Sequence, residues 1–291
     1  MNRNLVRTLL CAGVLGLLAI FATACGSSDD TTADSGGSTE QKSVSSPPAE
    51  AAVEDYRGYL EENTAELVAG TEPFVAAVVA GEVEKAKSLY APARTPYERI
   101  EPVAETFGDL DPEIDAREND VPANQFEGFH RIEKALWEEE SLKGMAPVAE
   151  DLLADVEELA ERVETVELKP EQIANGANEL LAEVSASKIT GEEERYSHVD
   201  LVDFEANVEG SKAAFEAVKP LLDESGNDLS GEIEADFKAV FNSLEPYRTD
   251  DGFVPYTDLT QADTKKLAVG IDTLAEKLSL VPAALAQAED G

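Results

Sequence analysis

Val148-Ala149-Glu150-Asp151-Leu152-Leu153-Ala154-Asp155-Val156-Glu157-Glu158-Leu159-Ala160-Glu161-Arg162-Val163 places apolar side chains at 148, 152, 156, 159 and 163, at intervals of four and three, with acids crowding the positions between. That spacing lays one apolar stripe along a helix of 3.6 residues per turn and leaves a charged face opposite. The same interval governs the flanking runs. Upstream, Phe126-Glu127-Gly128-Phe129-His130-Arg131-Ile132-Glu133-Lys134-Ala135-Leu136-Trp137 reads as a helix with an apolar side of Phe126, Phe129, Leu136 and Trp137, inside a helical stretch from about Ala123 to Glu139. Downstream, Ile173, Ala177, Leu180, Leu181 and Val184 predict a helix over 170–187, stopped by Lys188-Ile189-Thr190-Gly191, a basic last turn followed by glycine.

Farther out, Val53, Tyr56, Leu60, Leu67, Val68 and Phe74 predict a long first helix with a bend at Gly70 or Pro73. A second helical run from Glu82 meets Pro92, Pro96 and Pro102, which argue against an uninterrupted helix there. If Glu98–Pro102 is helical, Pro102 has no N–H for the carbonyl of Glu98 and leaves an acceptor beside Glu98 and Glu101. Residues 107–123 and 247–258 read as long connectors, the first with a helical turn after Asp111. A long helical region follows Glu192 to Leu222, another spans Ile233 to Leu244, and Thr260 with Asp263 forms a capping box ahead of the last, which ends near Leu278 before an Ala-rich tail. No run of strand periodicity competes, so the expectation is an all-α chain of seven or eight main helices.

The N-terminus is of another kind. Arg3 and Arg7 precede an apolar run over 9–22 that is too short for a comfortable membrane span, and Ala22-Thr23-Ala24 leads into Cys25. Residues 1–24 therefore read as an export signal, and the small residues before Cys25 resemble the lipobox of bacterial lipoproteins. This implies lipidation of Cys25 and an extracytoplasmic, membrane-anchored location. Residues 25–50, rich in Ser, Thr, Asp, Gly and Pro, read as a flexible tether, and 51–291 as the folded domain. Cys11 and Cys25 are the only cysteines, which removes disulfides, zinc fingers, iron–sulfur clusters and cysteine nucleophiles from the folded domain.

The whole chain has a formal charge of −38, and loss of residues 1–24 takes away two arginines and no acid, giving −40 with 21 basic against 61 acidic side chains. Such a surface repels nucleic acid and gathers cations. Salt adaptation accounts for bulk acidity equally well, so the chemistry has to come from particular residues.

At helical spacing His130 and Glu133 share a face, their Cβ atoms about 5–6 Å apart. A histidine at a core edge bonded to a carboxylate has the same look, but Glu98 and Glu101 at the same spacing and Asp115 in the connector supply further oxygens. One imidazole with several carboxylates makes a hard, anionic site suited to iron, in either oxidation state, or to manganese, with copper and zinc also within its range. Arg117 is placed to neutralise part of the acid cluster. Two other classes are compatible with the residues. A metallopeptidase would bind zinc through His130 and Glu133 and use Glu101 or Glu118 on its water, yet there is no His-Glu-x-x-His sequence and His198 is the one other histidine. An alginate-like acidic polysaccharide would need Tyr90, Tyr97, Trp137 and Tyr256 to line a cleft, and cations to bridge two anions.

Three longer stretches carry a resemblance. Ala91-Pro92-Ala93-Arg94-Thr95-Pro96-Tyr97-Glu98-Arg99-Ile100-Glu101-Pro102, then Asp115-Ala116-Arg117-Glu118, then Gly128-Phe129-His130-Arg131-Ile132-Glu133 resemble the imelysin-type domain of the EfeO/EfeM iron-uptake lipoproteins. Ser187-Lys188-Ile189-Thr190-Gly191-Glu192-Glu193 and Asp203-Phe204-Glu205-Ala206-Asn207-Val208-Glu209-Gly210 add to it, and the likeness covers about 51–285. It implies two packed helical bundles and a non-enzymatic, monomeric iron carrier whose metal residues are Glu98, Glu101, Asp115, His130 and Glu133. It further implies an Efe-type membrane permease and a haem peroxidase as partners. The chain is most similar to the EfeM form, which has no cupredoxin-like domain.

Overall fold

The structure, a computed structural model, describes residues 46–224, 228–250 and 252–289. The predicted signal, Cys25 and the tether up to residue 45 lie outside the described residues. Helices dominate: α1 (Pro47–Ala80), α2 (Val83–Ile100), α3 (Leu110–Asp115), α4 (Gly128–Trp137), α5 (Ala146–Val163), α6 (Pro170–Ala186), α7 (Asp200–Glu224), α8 (Leu229–Leu244), α9 (Gln261–Leu278) and α10 (Val281–Glu289). Setting aside the short α3 and α10, eight main helices remain among the described residues, the all-α class expected. Among the described residues no helix is long and apolar enough to cross a membrane.

The helices form two bundles. In the first, α1 lies along α2 and α5, and α3 and α4 pack on α5; in the second, α6 packs on α7, α9 and α10, and α8 on α9. Helix α7 also lies against α1 and α2, so the seam between bundles runs along α2 and α7. The stripe that opened the sequence reading is the buried face of α5, with Leu152, Val156, Leu159 and Val163 all nearly inaccessible. Behind α4 an aromatic wall closes the first bundle: Tyr90 lies 5.3 Å from Trp137 and 6.3 Å from Phe129, and Phe74 5.9 Å from both Tyr90 and Phe129, centroid to centroid.

Several boundaries differ from expectation. Helix α1 starts at Pro47, inside the predicted tether, because Ser46 caps it through Ala49 N–H and two prolines suit its first turn. Helix α2 runs through Pro92 and Pro96, correcting the expected interruption. The two prolines stand four apart, so the missing donors fall on one side of the helix, while Tyr90, Ala93, Arg94, Tyr97 and Glu98 are fully buried and hold it by packing. The break comes only at Pro102, in the 3-10 helix Glu101–Phe107. The region after Glu192 is not helical until Asp200, for a reason that belongs to the site. Among the described residues a two-residue antiparallel ribbon, Arg248–Thr249 with Gly252–Phe253, is a strand pairing that the sequence did not announce. The capping box at Thr260 and Asp263 is present as expected. The Ala-rich tail is itself helical as α10, with Val281 and Leu285 buried.

Candidate metal centre

Helix α2 brings Tyr90, Arg94 and Glu98 to the seam at intervals of four, on one face. At its end the carbonyl of Glu98 loses its donor to Pro102, as the spacing predicted. Asn207 of α7 supplies the replacement, its Nδ2 donating to that carbonyl at 3.1 Å and to Glu98 Oε2 and Glu101 Oε2 at 2.7 Å each. The bend at Pro102 is thus satisfied from the second bundle and turns Glu101 inward beside Glu98.

His130 and Glu133 sit on the buried face of α4. Glu133 Oε2 lies 3.2 Å from His130 Nδ1, and Glu133 Oε1 accepts from the backbone N–H groups of Tyr196 and Ser197 at 2.9 and 2.8 Å. This explains why the segment does not continue as α-helix up to Asp200: the amides of Tyr196 and Ser197 are spent on Glu133, that of Glu194 on Asp200, and His198 turns the chain at φ 60°. The hold matters because that segment carries Glu193 and Glu194. His198 itself is half-buried and has no place in the cluster, which uses its chain turn and not its ring.

All five predicted residues come together at the seam. Glu98, His130 and Glu133 are buried, Asp115 is one-tenth exposed and Glu101 slightly more. His130 Nε2 lies 3.5 Å from Asp115 Oδ1 and 3.6 Å from Glu193 Oε1. Two sets of donor atoms lie within 4.8 Å of one another, Asp115 with His130 and Glu193, and His130 with Glu133 and Glu194. Glu98 and Glu101 stand outside those two sets. Lys188 Nζ takes both oxygens of Glu101 at 2.7 Å and Glu98 Oε2 at 3.1 Å.

The sequence reading overlooked Glu193 and Glu194 as ligands and Arg94, Lys188, Asp203 and Asn207 as their partners. A run of three acids, Glu192-Glu193-Glu194, directly after a helix-ending glycine was the available signal. Arg94, wholly buried, is the hub. Its Nη1 lies 2.8 Å from Asp115 Oδ1 and 2.9 Å from His130 Nε2; Nη2 bonds Glu98 and approaches Glu193 Oε1 to 3.5 Å; Nε is 3.0 Å from Glu194 Oε1 and 3.4 Å from Asp203 Oδ1. Arg117 neutralises part of the cluster as foreseen, with Nη1 2.8 Å from Glu193 Oε2.

Charge is divided among these groups. Burial pushes Glu101, Glu194 and Asp203 well above the usual carboxylate range, and Asp115 and Asp200 up to about 6. For Glu98 burial is outweighed by Lys188 and Arg94, which draw it down to about 2. Against the same burial, His130 and two backbone amides lower Glu133, and Lys188 and His130 lower Glu193. For His130 burial and Arg94 oppose the charged ring, whereas Glu133, Glu193 and Asp115 favour it. The 2.9 Å contact between Arg94 Nη1 and His130 Nε2 decides otherwise, because two N–H donors repel at that distance. The ring is neutral, with Nδ1–H given to Glu133 and the Nε2 lone pair accepting from Arg94 Nη1, beside Asp115 and Glu193. That is how a carboxylate orients an imidazole for a metal.

Above the cluster opens a cleft of about 860 Å3. Eight acids line it, among them Glu101, Asp115, Glu179 and Glu193, against Arg117 and Lys188, and no aromatic side chain does. Tyr90, Tyr97 and Tyr256 are in the core instead, and Trp137 is packed against it.

The carboxyls held above their ordinary range set how stability responds to pH. Asp155, half-buried near Glu113, Glu127 and Asp151, is raised to about 6 from 3.8, as is Asp200. Between those values the folded state binds more protons than the unfolded one, so stability falls as pH rises. Below about 4.5 the lowered Glu98, Glu133 and Glu193 work in the opposite sense. Calorimetry on metal-free protein is expected to give a melting temperature several degrees higher at about pH 5 than at about pH 7.5; a rise with pH across that window would contradict the charge assignment.

The comparisons agree with this architecture. Residues 52–281, spanning the helices that build the centre, match the family model described as Imelysin, Peptidase_M75. The chain is 47% identical over 232 residues to the protein named iron uptake system component EfeO of Escherichia coli K12, and equally to that of Shigella flexneri. The match covers 78% of this chain and 62% of each relative, so the chain spans under two thirds of their length. With α2 to α9, nearly all of α1 and every residue of the cluster inside the matched span, the chain belongs to the imelysin family.

Proposed function

We propose that the chain is the extracytoplasmic iron-binding component of an Efe-type uptake system, a carrier and not an enzyme. One observation carries this reading: the Nε2 lone pair of a neutral, carboxylate-oriented histidine converges with Asp115 and Glu193 at the foot of an acidic cleft. The name of the relatives, iron uptake system component, supplies the metal, since manganese, zinc and copper satisfy the same donor set. Asp115, His130 and Glu193 bind the ion, Glu98 and Glu101 extend the acidic wall, and Glu133 orients the ring and holds the segment bearing Glu193. An Efe-type permease receives the ion, a haem peroxidase is the second partner, and lipidated Cys25 keeps the carrier at the membrane.

The hydrolytic reading loses both carboxylates it would use as base, because Lys188 occupies both oxygens of Glu101, and Glu118 is engaged by Lys134 and by the Tyr196 hydroxyl. The four aromatics a glycan role would stack on, Tyr90, Tyr97, Trp137 and Tyr256, are packed in or against the core and do not line the cleft. Iron titration of residues 46–291, which belong to one compact unit, is expected to show saturable binding of one ion per chain. The same preparation is expected neither to cleave peptides nor to bind a polyuronate in metal-free buffer. Absence of iron binding together with metal-independent polyuronate binding would overturn the proposal.

A further inference from the structure

The donor atoms assigned to the cargo are already in use. Asp115 Oδ1 and His130 Nε2 both face Arg94 Nη1, at 2.8 and 2.9 Å, and Glu193 Oε1 is 3.5 Å from Nη2. A lone pair given to a guanidinium N–H is not available to a metal ion. An ion taking Asp115, His130 and Glu193 must therefore dislodge the guanidinium.

A place for the arginine to go lies on its other side. Asp203 of α7 is buried, 3.4 Å from Arg94 Nε, yet neither of its carboxylate oxygens has a hydrogen-bond partner, and Arg94 Nε has none either. One and two turns farther along the same face of α7, Asn207 Oδ1 and Ser211 Oγ are likewise buried and unpartnered. Buried polar atoms without partners are uncommon, and here they recur at intervals of four along α7, beginning at Asp203 beside Arg94 Nε.

We propose, building on the site reading above, that Arg94 is an internal cation which the cargo displaces: it fills the metal position in the unloaded protein and withdraws toward Asp203 on loading. The consequence is selectivity and reversibility. A weakly held monovalent ion cannot outcompete a guanidinium set among five carboxylates, whereas a small ion of high charge with affinity for imidazole can. Because the arginine stays tethered beside the site, its return assists release, which a carrier requires.

The test is a pair of measurements on the chain itself. In 15N-resolved NMR of the wild-type protein, one equivalent of gallium(III), a diamagnetic ion of ferric charge and size, is expected to shift or broaden the Arg94 Nε–H signal. Arg94→Met is expected to raise iron affinity by about tenfold or more and slow iron loss to a chelator, as removal of a mutually exclusive competitor should, while Arg94→Lys stays near wild type. Should Arg94→Met not fold, the NMR measurement alone decides. A wild-type protein that binds gallium and iron with the Arg94 signal unmoved would overturn the displacement and leave the site intact. A wild-type protein that binds neither ion would remove both.

Discussion

His130→Ala is expected to reduce iron affinity by roughly a hundredfold or more while moving the melting temperature only a few degrees, whereas Glu133→Ala is expected to lower both. The difference follows from what each side chain holds. Removing the imidazole takes away the one nitrogen donor of the Asp115–His130–Glu193 set but leaves Glu133 bonded to the amides of Tyr196 and Ser197. Removing Glu133 strands those two buried-side amides, at about 1–3 kcal/mol each, which in a domain of this size is a fall of roughly 10 °C. It also frees the segment carrying Glu193 and lets the ring of His130 rotate. Because both substitutions act partly through one imidazole, their losses should be less than additive, the double variant binding worse than His130→Ala by what freeing the Glu193 segment costs. Isothermal titration with iron and thermal unfolding of the same preparations separate the two effects. Unchanged affinity in His130→Ala would remove the site assignment.

How far the sequence carried can be seen at the same residues. Three-and-four spacing gave α5, α6 and α8 because burial of a stripe dictates that pattern whatever the partner. It brought His130 and Glu133 onto one face of α4, and the donor missing at Pro102 singled out the Glu98 carbonyl that Asn207 satisfies. It did not show that α2 continues through Pro92 and Pro96, because the packing that holds that turn comes from other helices. It extended α7 seven residues too early, into 193–199, because the competitor for those amides is the carboxylate of Glu133, sixty residues away. Arg94 stands out in the sequence only as part of a motif. Its role as hub depends on five acids and a histidine drawn from separate parts of the chain, and no local spacing encodes such a meeting.

Gly176→Ala and Gly210→Ala are expected to be among the most damaging small substitutions in the protein, each destabilising it by about 3 kcal/mol or more. Both glycines press on the same short stretch. A Cβ at Gly210 of α7 would stand 2.2 Å from the Arg99 carbonyl oxygen, and one at Gly176 of α6 would stand 1.8 Å from that of Pro102. The obstacle in each case is backbone, so no side-chain rotation relieves it, and α2 with its 3-10 continuation has to move away by about an ångström to restore ordinary contact. That stretch is the bend holding Glu98 and Glu101 against Lys188 and Asn207, so displacement opens the acidic wall as well as the seam between bundles. Iron affinity should therefore fall in any fraction of either variant that folds, although neither glycine touches the cluster. Gly58→Ala in α1, where a Cβ meets nothing within 4 Å, supplies the control and should leave stability and binding unchanged or slightly improved. Denaturant unfolding of the three variants alongside iron titration reads both quantities, and a Gly176→Ala protein as stable as Gly58→Ala would refute the idea that close backbone contact sets the geometry of the site.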